Sequence, residues 1–312
     1  MAKIHLQPWL KKHLTAALKA AVTLALLALA LRTVRFDELA ASFRGASPRP
    51  LAAAALLLAL GGFAGAASWF CPLRLRLPSL RFRDAAACHW IGMFFNCFLP
   101  SNIGGDAVKG VMIGSQVKDS ADGPNNSRTS SSAFIIATLL TDRAVNFSML
   151  LGIGATVWLS QRCGPACAVL AAALCTAALA AVLAVARRRW APGRQAFVLP
   201  FLLAAFASQF LKTWSNAFII SALGLELPPL AMWYVIPVFG VVSALPISIG
   251  GLGVRELAAQ TLAGPLHADG TALVALSLAG HLLTVAVSLL GALPLLFRPA
   301  APPTDPRASA GS

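Results

Sequence analysis

Apolar residues gather along this chain in blocks, at about 14–31, 51–70, 85–99, 133–160, 165–186, 197–220, 230–245 and 271–297, with short basic patches between them. A helix needs roughly 20 apolar residues to cross a hydrocarbon core, and most of these blocks reach or approach that length. The blocks at 85–99 and 230–245 are shorter, and each runs into a turn built from proline and glycine. The pattern predicts an all-α polytopic membrane protein with about six full spans plus two re-entrant or broken helical hairpins. Residues 1–298 read as one membrane domain, and the Pro-rich tail at 299–312 is expected to be disordered. The stretch 114–132 (GSQVKDSADGPNNSRTSSS) is almost free of apolar residues and reads as a flexible polar loop. Lys3, Lys11 and Lys12 precede the first block without an Ala-x-Ala cleavage context, so that block is read as a transmembrane helix, not a leader.

The two turns are copies of one another. Leu99, Pro100, Ile103, Gly104, Gly105 and Val108 recur in register as Leu245, Pro246, Ile249, Gly250, Gly251 and Val254, and Lys109 recurs as Arg255. Proline ends a helix, and paired glycines permit positive φ and close backbone approach. Non-helical backbone at membrane depth survives only when it is packed in protein or lines a polar cavity. A repeated pair of Gly/Pro-interrupted apolar segments points to the transport site of a repeat-built carrier. Two loops that merely turn the chain at the membrane surface would explain the glycines, but not the shared register. Gly105 and Gly251 are expected to reject a β-branched side chain, whereas Gly154, in a plain span, is expected to accept one.

Composition narrows the class further. The chain of 312 residues is 58% hydrophobic and 12% charged, with a mean hydropathy of +0.75, which excludes a soluble enzyme. A net charge of +14 would suit a nucleic-acid binder, but the Lys and Arg residues lie in patches between apolar runs, where they encode topology. The cysteines (Cys71, Cys88, Cys97, Cys163, Cys167, Cys175) form no Cys-x-x-Cys, so they read as small hydrophobes. His281 lies inside an apolar run and reads as a packing residue. No metal and no cofactor is expected.

Charge sets the orientation. With both termini in the cytoplasm, Lys3, Lys11, Lys12, Arg74, Arg76, Arg81, Arg83, Lys109, Lys118, Arg128, Arg187, Arg188, Arg189, Arg194, Arg298 and Arg307 fall inside and outnumber Arg32, Arg35, Arg44, Arg49 and Arg162 outside. The loop at 114–132 is then cytoplasmic and the loop at 221–229 is outside. The first repeat opens from the cytoplasmic side and the second from the outer side, as an inverted repeat requires.

Charges inside the spans call for partners. Asp142 lies about 14 Å into its span at 1.5 Å per residue, near mid-bilayer, with Arg143 beside it. Each costs roughly 2.5–3.5 kcal/mol to insert. Neighbours in sequence point about 100° apart on a helix, so each needs a partner on another element. The candidates are Asp106, Lys109, Lys212, Arg255 and Glu256. An interhelical salt bridge and a functional site are both compatible with such a pair.

The segment Phe94-Phe95-Asn96-Cys97-Phe98-Leu99-Pro100-Ser101-Asn102-Ile103-Gly104-Gly105-Asp106 resembles the Phe-Asn-x-x-Leu-Pro-x-x-x-Gly-Gly-Asp signature of the flippase-like membrane family that includes the transmembrane domain of lysylphosphatidylglycerol synthase. Residues 245–256 are similar to its second signature, and Asp142-Arg143 stands where the family usually has Glu-Arg. The resemblance implies movement of a lipid across the cytoplasmic membrane. The substrate is expected to be an anionic or aminoacylated phospholipid or a lipid-linked intermediate. It also implies a substrate-binding set of Asn96, Ser101, Asn102, Gly104, Gly105, Asp106, Lys109, Asp142, Arg143, Gly250, Gly251, Gly253, Arg255 and Glu256. Lys109 and Arg255 are expected to meet a lipid phosphate, and exposed glycine N–H groups to help hold it. In the full-length synthases a separate soluble domain makes the lipid, and the tail after Arg298 is expected to be too short for it.

Three functional classes follow. A lipid translocase is the reading that the repeats favour. A membrane enzyme lacks any visible nucleophile–base pair, metal cluster or nucleotide loop. A non-catalytic scaffold for a lipid-modifying enzyme would use the buried ion pairs structurally. The expected partners are membrane lipid and such an enzyme, with no nucleic acid.

Overall fold

The computed structural model describes residues 21–32, 34–75, 77–98, 104–120, 128–167, 169–173, 175, 179, 197–228, 231–244, 248 and 251–296. Among these residues all regular structure is helical. In chain order the elements are α1 (Ala21–Leu31), α2 (Phe36–Arg44), α3 (Pro48–Leu73), α4 (Phe82–Phe98), α5 (Gly104–Ser120), α6 (Arg128–Arg162), α7 (Val198–Leu223), α8 (Met232–Ala244), α9 (Val254–Leu266), α10 (Gly270–Ser288), a 3₁₀ turn (Leu289–Ala292) and α11 (Leu293–Leu296). Three helical stretches are long and apolar enough to cross a membrane: Pro48–Leu73, Ala133–Arg162 and Gly270–Leu295. At 26 residues, α7 has the length of a span, about 39 Å, but Gln209, Lys212, Ser215 and Asn216 interrupt its apolar run.

The bundle is organised on α3 and α7, which pack along one another. Small residues permit this. Gly61, Gly65, Ala54 and Ala66 are buried on α3, and Ser208 and Ser215 are buried on α7. The Ser208 hydroxyl donates to the Gly61 carbonyl at 2.8 Å. A Cβ on Gly61 would stand 2.9 Å from Lys212 Cγ and 3.2 Å from the Ser208 carbonyl oxygen, so the backbones meet where a side chain would hold them apart. The remaining helices surround this pair in matching fashion. α4 packs on α5 and α8 on α9; α5 packs on α6 and α9 on α10. α3 touches α4 and α6, while α7 touches α8 and α10; across the middle, α6 meets α8 and α10 meets α4. The contacts of α3–α6 with one another thus have counterparts among α7–α10.

Two segments differ from expectation. The polar stretch 114–132 is helical at both ends, because α5 runs to Ser120 and α6 begins at Arg128. Once a helix is nucleated, polar residues extend it readily, and the strong breakers here are Gly123 and Pro124. The arginine-bearing segment 32–49 contains α2, whose Phe36, Leu39, Ala40 and Phe43 recur at i, i+3, i+4 and i+7. Arg35, just before it, pairs with Glu38 at 2.7 Å and with Asp269 at 2.9 Å. Gly154 is a further correction. A Cβ there would stand 2.8 Å from Pro237 Cβ, so this glycine is a contact point between α6 and α8, not a plain span position.

The α3–α7 seam should therefore be sensitive to added volume. Gly61→Val is expected to lower stability by about 1–3 kcal/mol. Gly264→Ala, where nothing lies within 4 Å of the added carbon, should be neutral or slightly stabilising. Thermal unfolding of both variants in one detergent checks this, and equal behaviour would contradict it.

Candidate functional site

The first broken hairpin, α4–α5, closes without room to spare. The Gly105 amide donates to Asn96 Oδ1 at 2.8 Å, which caps the start of α5 from α4. Gly105 lies directly against the Gly92 carbonyl, and a Cβ on Gly92 would stand 2.6 Å from Lys109 Cγ. These two glycines let α4 and α5 touch and leave the Lys109 stem a path between them. Close approach, not positive φ, explains Gly105. Gly104 stands at the first position of α5.

Asp106 then takes two cations. Lys109 Nζ lies 3.2 Å from one carboxylate oxygen, and Arg143 Nε on α6 donates to the other. Lys109 is buried, and its ammonium also stands over the Trp69 ring, 5.6 Å from the centroid. Asp142 takes a different set of partners. The Ser68 hydroxyl on α3 donates to it at 2.7 Å, and Asn146 Nδ2 donates at 3.1 Å. Asn146 in turn accepts from Gln209 Nε2 on α7 at 2.7 Å. The adjacent residues 142 and 143 thus tie α6 to α3 and α7 on one side and to α5 on the other.

The second hairpin, α8–α9, is built on left-handed glycines. Gly251 has φ +80° and Gly253 has φ +81°. A Cβ on Gly251 would stand 2.6 Å from Ser243 Oγ, and one on Gly253 would stand 2.8 Å from the Leu27 amide nitrogen of α1. Glu256 is fully buried and closes the turn: it accepts from the Gly253 amide at 2.7 Å and from the Ser277 hydroxyl at 2.8 Å. Arg255 makes one weak contact with the Ser277 carbonyl, at 3.3 Å, and lies over the Phe239 ring, 5.5 Å from the centroid. Its Nε is buried with no hydrogen-bond partner among the described residues.

In register, Leu252 stands where the first repeat has Asp106. Lys109 and Arg255 occupy matching positions, yet Lys109 is held by a carboxylate three residues before it and Arg255 is not. Arg255 instead lines a cavity of about 280 Å³ between α7, α8, α9 and α10. Lys212 lines the same cavity, together with Gln209, Thr213, Asn216, Ser243 and Thr284. Neither cation forms an ion pair among the described residues, although Lys212 lies within electrostatic reach of Asp142 and Arg255 within that of Glu256.

The expected site residues therefore divide. Asn96, Gly105, Asp106, Lys109 and Arg143 meet in one network, with Asp142 beside it, and Gly251, Gly253, Arg255 and Glu256 meet in another. Ser101, Asn102 and Gly250 lie outside the described residues. Lys109 does not stand free for a phosphate, as the sequence suggests, because Asp106 occupies it. Lys212 is the second cation on the cavity wall, beside Arg255. The different surroundings of Lys109 and Arg255 were signalled by the Asp106/Leu252 difference between the two turns.

Span-length apolar helices, two broken hairpins and charge buried between them define a polytopic integral membrane protein. Residues 16–291 match the family described as the lysylphosphatidylglycerol synthase TM region, and the chain belongs to that family. A search of the curated proteins finds no match.

The two aspartates should respond unequally. Asp106→Asn leaves the buried Lys109 and the partly buried Arg143 without their carboxylate and should cost about 3–5 kcal/mol. Asp142→Asn keeps an acceptor for Ser68 and should cost about 1–2 kcal/mol. Thermal unfolding of the two variants gives the order, and the reverse order would contradict the network.

Proposed function

We propose that this protein is a lipid translocase of the cytoplasmic membrane, carrying an anionic or aminoacylated phospholipid or a lipid-linked intermediate from one leaflet to the other. The observation that carries the reading is the cavity between α7 and α10, where Lys212 and Arg255 stand in the interior of a membrane bundle without a carboxylate on its walls. A charged group at this depth costs roughly 2.5–3.5 kcal/mol, and uncompensated ones mark pathways more often than packing. The matched contacts of α3–α6 and α7–α10 support a repeat-built carrier whose two hairpins enter from opposite faces. On this reading both termini are cytoplasmic, and the chain has about six spans plus the two hairpins.

A scaffold for a lipid-modifying enzyme is the second reading. The Asp106–Lys109–Arg143 network favours it, since that network is satisfied within the protein and would serve to hold helices alone. It gives no reason for the charged cavity.

Two measurements test the proposal. Single cysteines replacing Ser120 and Glu226 in a cysteine-free background should label from opposite sides of the membrane; same-side labelling contradicts the opposed hairpins. Reconstituted into vesicles, the protein should move fluorescent phosphatidylglycerol or lysylphosphatidylglycerol between leaflets faster than protein-free vesicles do. No movement of phospholipid, polyprenyl phosphate or aminoacylated lipid would overturn the translocase reading.

A further inference from the structure

The charge on the cavity walls selects among the cargoes that a translocase of this kind could carry. Ionisable groups near the hairpins include the cations Lys109, Arg143, Lys212 and Arg255 and the carboxylates Asp106, Asp142 and Glu256; Lys109 and Glu256 are buried and the others partly buried. The carboxylates make their hydrogen bonds and ion pairs elsewhere, although Asp142 lies within electrostatic reach of Lys212 and Glu256 within that of Arg255. Asp106 holds Lys109 and Arg143, Asp142 accepts from Ser68 and Asn146, and Glu256 accepts from Gly253 and Ser277. None of the three lines the cavity, whereas Lys212 and Arg255 both do.

The neutral groups there are suited to an oxyanion. Thr213 is fully buried and lines the cavity, and its hydroxyl has no hydrogen-bond partner among the described residues; the same holds for Arg255 Nε. An unsatisfied hydroxyl and guanidinium N–H are donors awaiting an acceptor. On α10, Gly280 leaves the space open: a Cβ there would stand 3.3 Å from Asn216 Oδ1 and 3.6 Å from Arg255 Nη2. Apolar side chains, among them Leu58, Met93 and Val287, complete the wall. A chamber with cationic and hydroxyl donors and an apolar remainder fits a phosphate ester attached to hydrocarbon.

We propose that this cavity binds the phosphate of an anionic lipid headgroup and discriminates against a headgroup carrying its own positive charge. A lysyl ester would bring an ammonium into a space that already holds Lys212 and Arg255 and has no carboxylate on its walls. At low effective dielectric, that repulsion is far stronger than in water. The lipid identity rests on the translocase reading, whereas the anion preference of the chamber does not.

The test uses the full-length protein in a neutral detergent, with native mass spectrometry of bound lipid and thermal unfolding in the same buffer. Phosphatidylglycerol should be retained at least about ten-fold over lysylphosphatidylglycerol, since one charge-assisted contact is worth roughly that ratio or more. Lys212→Gln and Arg255→Gln should each lower phosphatidylglycerol binding roughly ten- to a hundred-fold. Their unfolding midpoints should fall less than that of Asp106→Asn, because neither cation forms an ion pair among the described residues. Lys212→Arg, which keeps the charge, should keep the preference. Equal or tighter binding of lysylphosphatidylglycerol to the unaltered protein overturns the proposal, as do Gln variants that bind like wild type. Inorganic phosphate competing at the affinity of the lipid would overturn the lipid assignment in favour of a free-anion site. Selective binding without movement in vesicles would end the translocase reading and leave the chamber standing. Movement of both lipids without any binding preference would do the opposite.

Discussion

A carboxylate held among apolar helices has to be balanced by positive charge, and Asp106 is balanced twice. It sits in the first turn of α5, pairs with Lys109 one turn on, and receives Arg143 from α6. Each of these groups alone would be costly in hydrocarbon, and together they form a network that fixes α5 against α6. The surrounding packing follows from the need to bring them together. Gly92 and Gly105 thin the backbones so that Lys109 passes between α4 and α5, Asn96 closes the helix start, and Trp69 offers its ring to the ammonium. Asp142 extends the connection through Ser68 to α3 and through Asn146 and Gln209 to α7.

The helix contacts among α3–α6 have counterparts among α7–α10, but the charge balance does not. Leu252 replaces the carboxylate, Glu256 turns inward to cap Gly253, and Arg255 is left beside Phe239 with little to hold it. Across the cavity α7 contributes Lys212. One hairpin is thus a satisfied structural joint, and the other presents unspent positive charge to an internal space. Such a division sets an ion-pair network in the first half against two cations on a cavity wall in the second. It also accounts for the polar middle of α7, which lowers the apolar character of that helix where its side chains face the cavity.

Much of this is legible in the sequence. Block lengths and the Pro/Gly turns located α3, α4, α6, α7, α8 and α10 within a few residues, because hydrocarbon permits so few alternatives to a helix. The amphipathic α2 was hidden by its arginines, and the ends of α5 and α6 were hidden by polar residues that favour loops only when nothing nucleates a helix beside them. Pairing was less accessible. Asp106, Lys109, Lys212, Arg255 and Glu256 were all chemically eligible partners for Asp142 and Arg143, and only the facing of helices distinguishes Ser68 from Lys212 as the group that meets Asp142. Register makes Lys109 and Arg255 equals. The single exchange of Asp for Leu between the repeats separates them, and it can be read from the sequence once buried charge is counted repeat by repeat.

The claim that bears most weight is that an anion completes the charge of the second hairpin. A high-resolution structure of the full chain in nanodiscs of phosphatidylglycerol, beside one in nanodiscs of phosphatidylcholine alone, tests it directly. The account predicts phosphate density within hydrogen-bond distance of Lys212 Nζ and the Arg255 guanidinium in the first, and weaker or no such density in the second. A cavity without phosphate in both, with Lys212 turned to pair with Asp142, would contradict it.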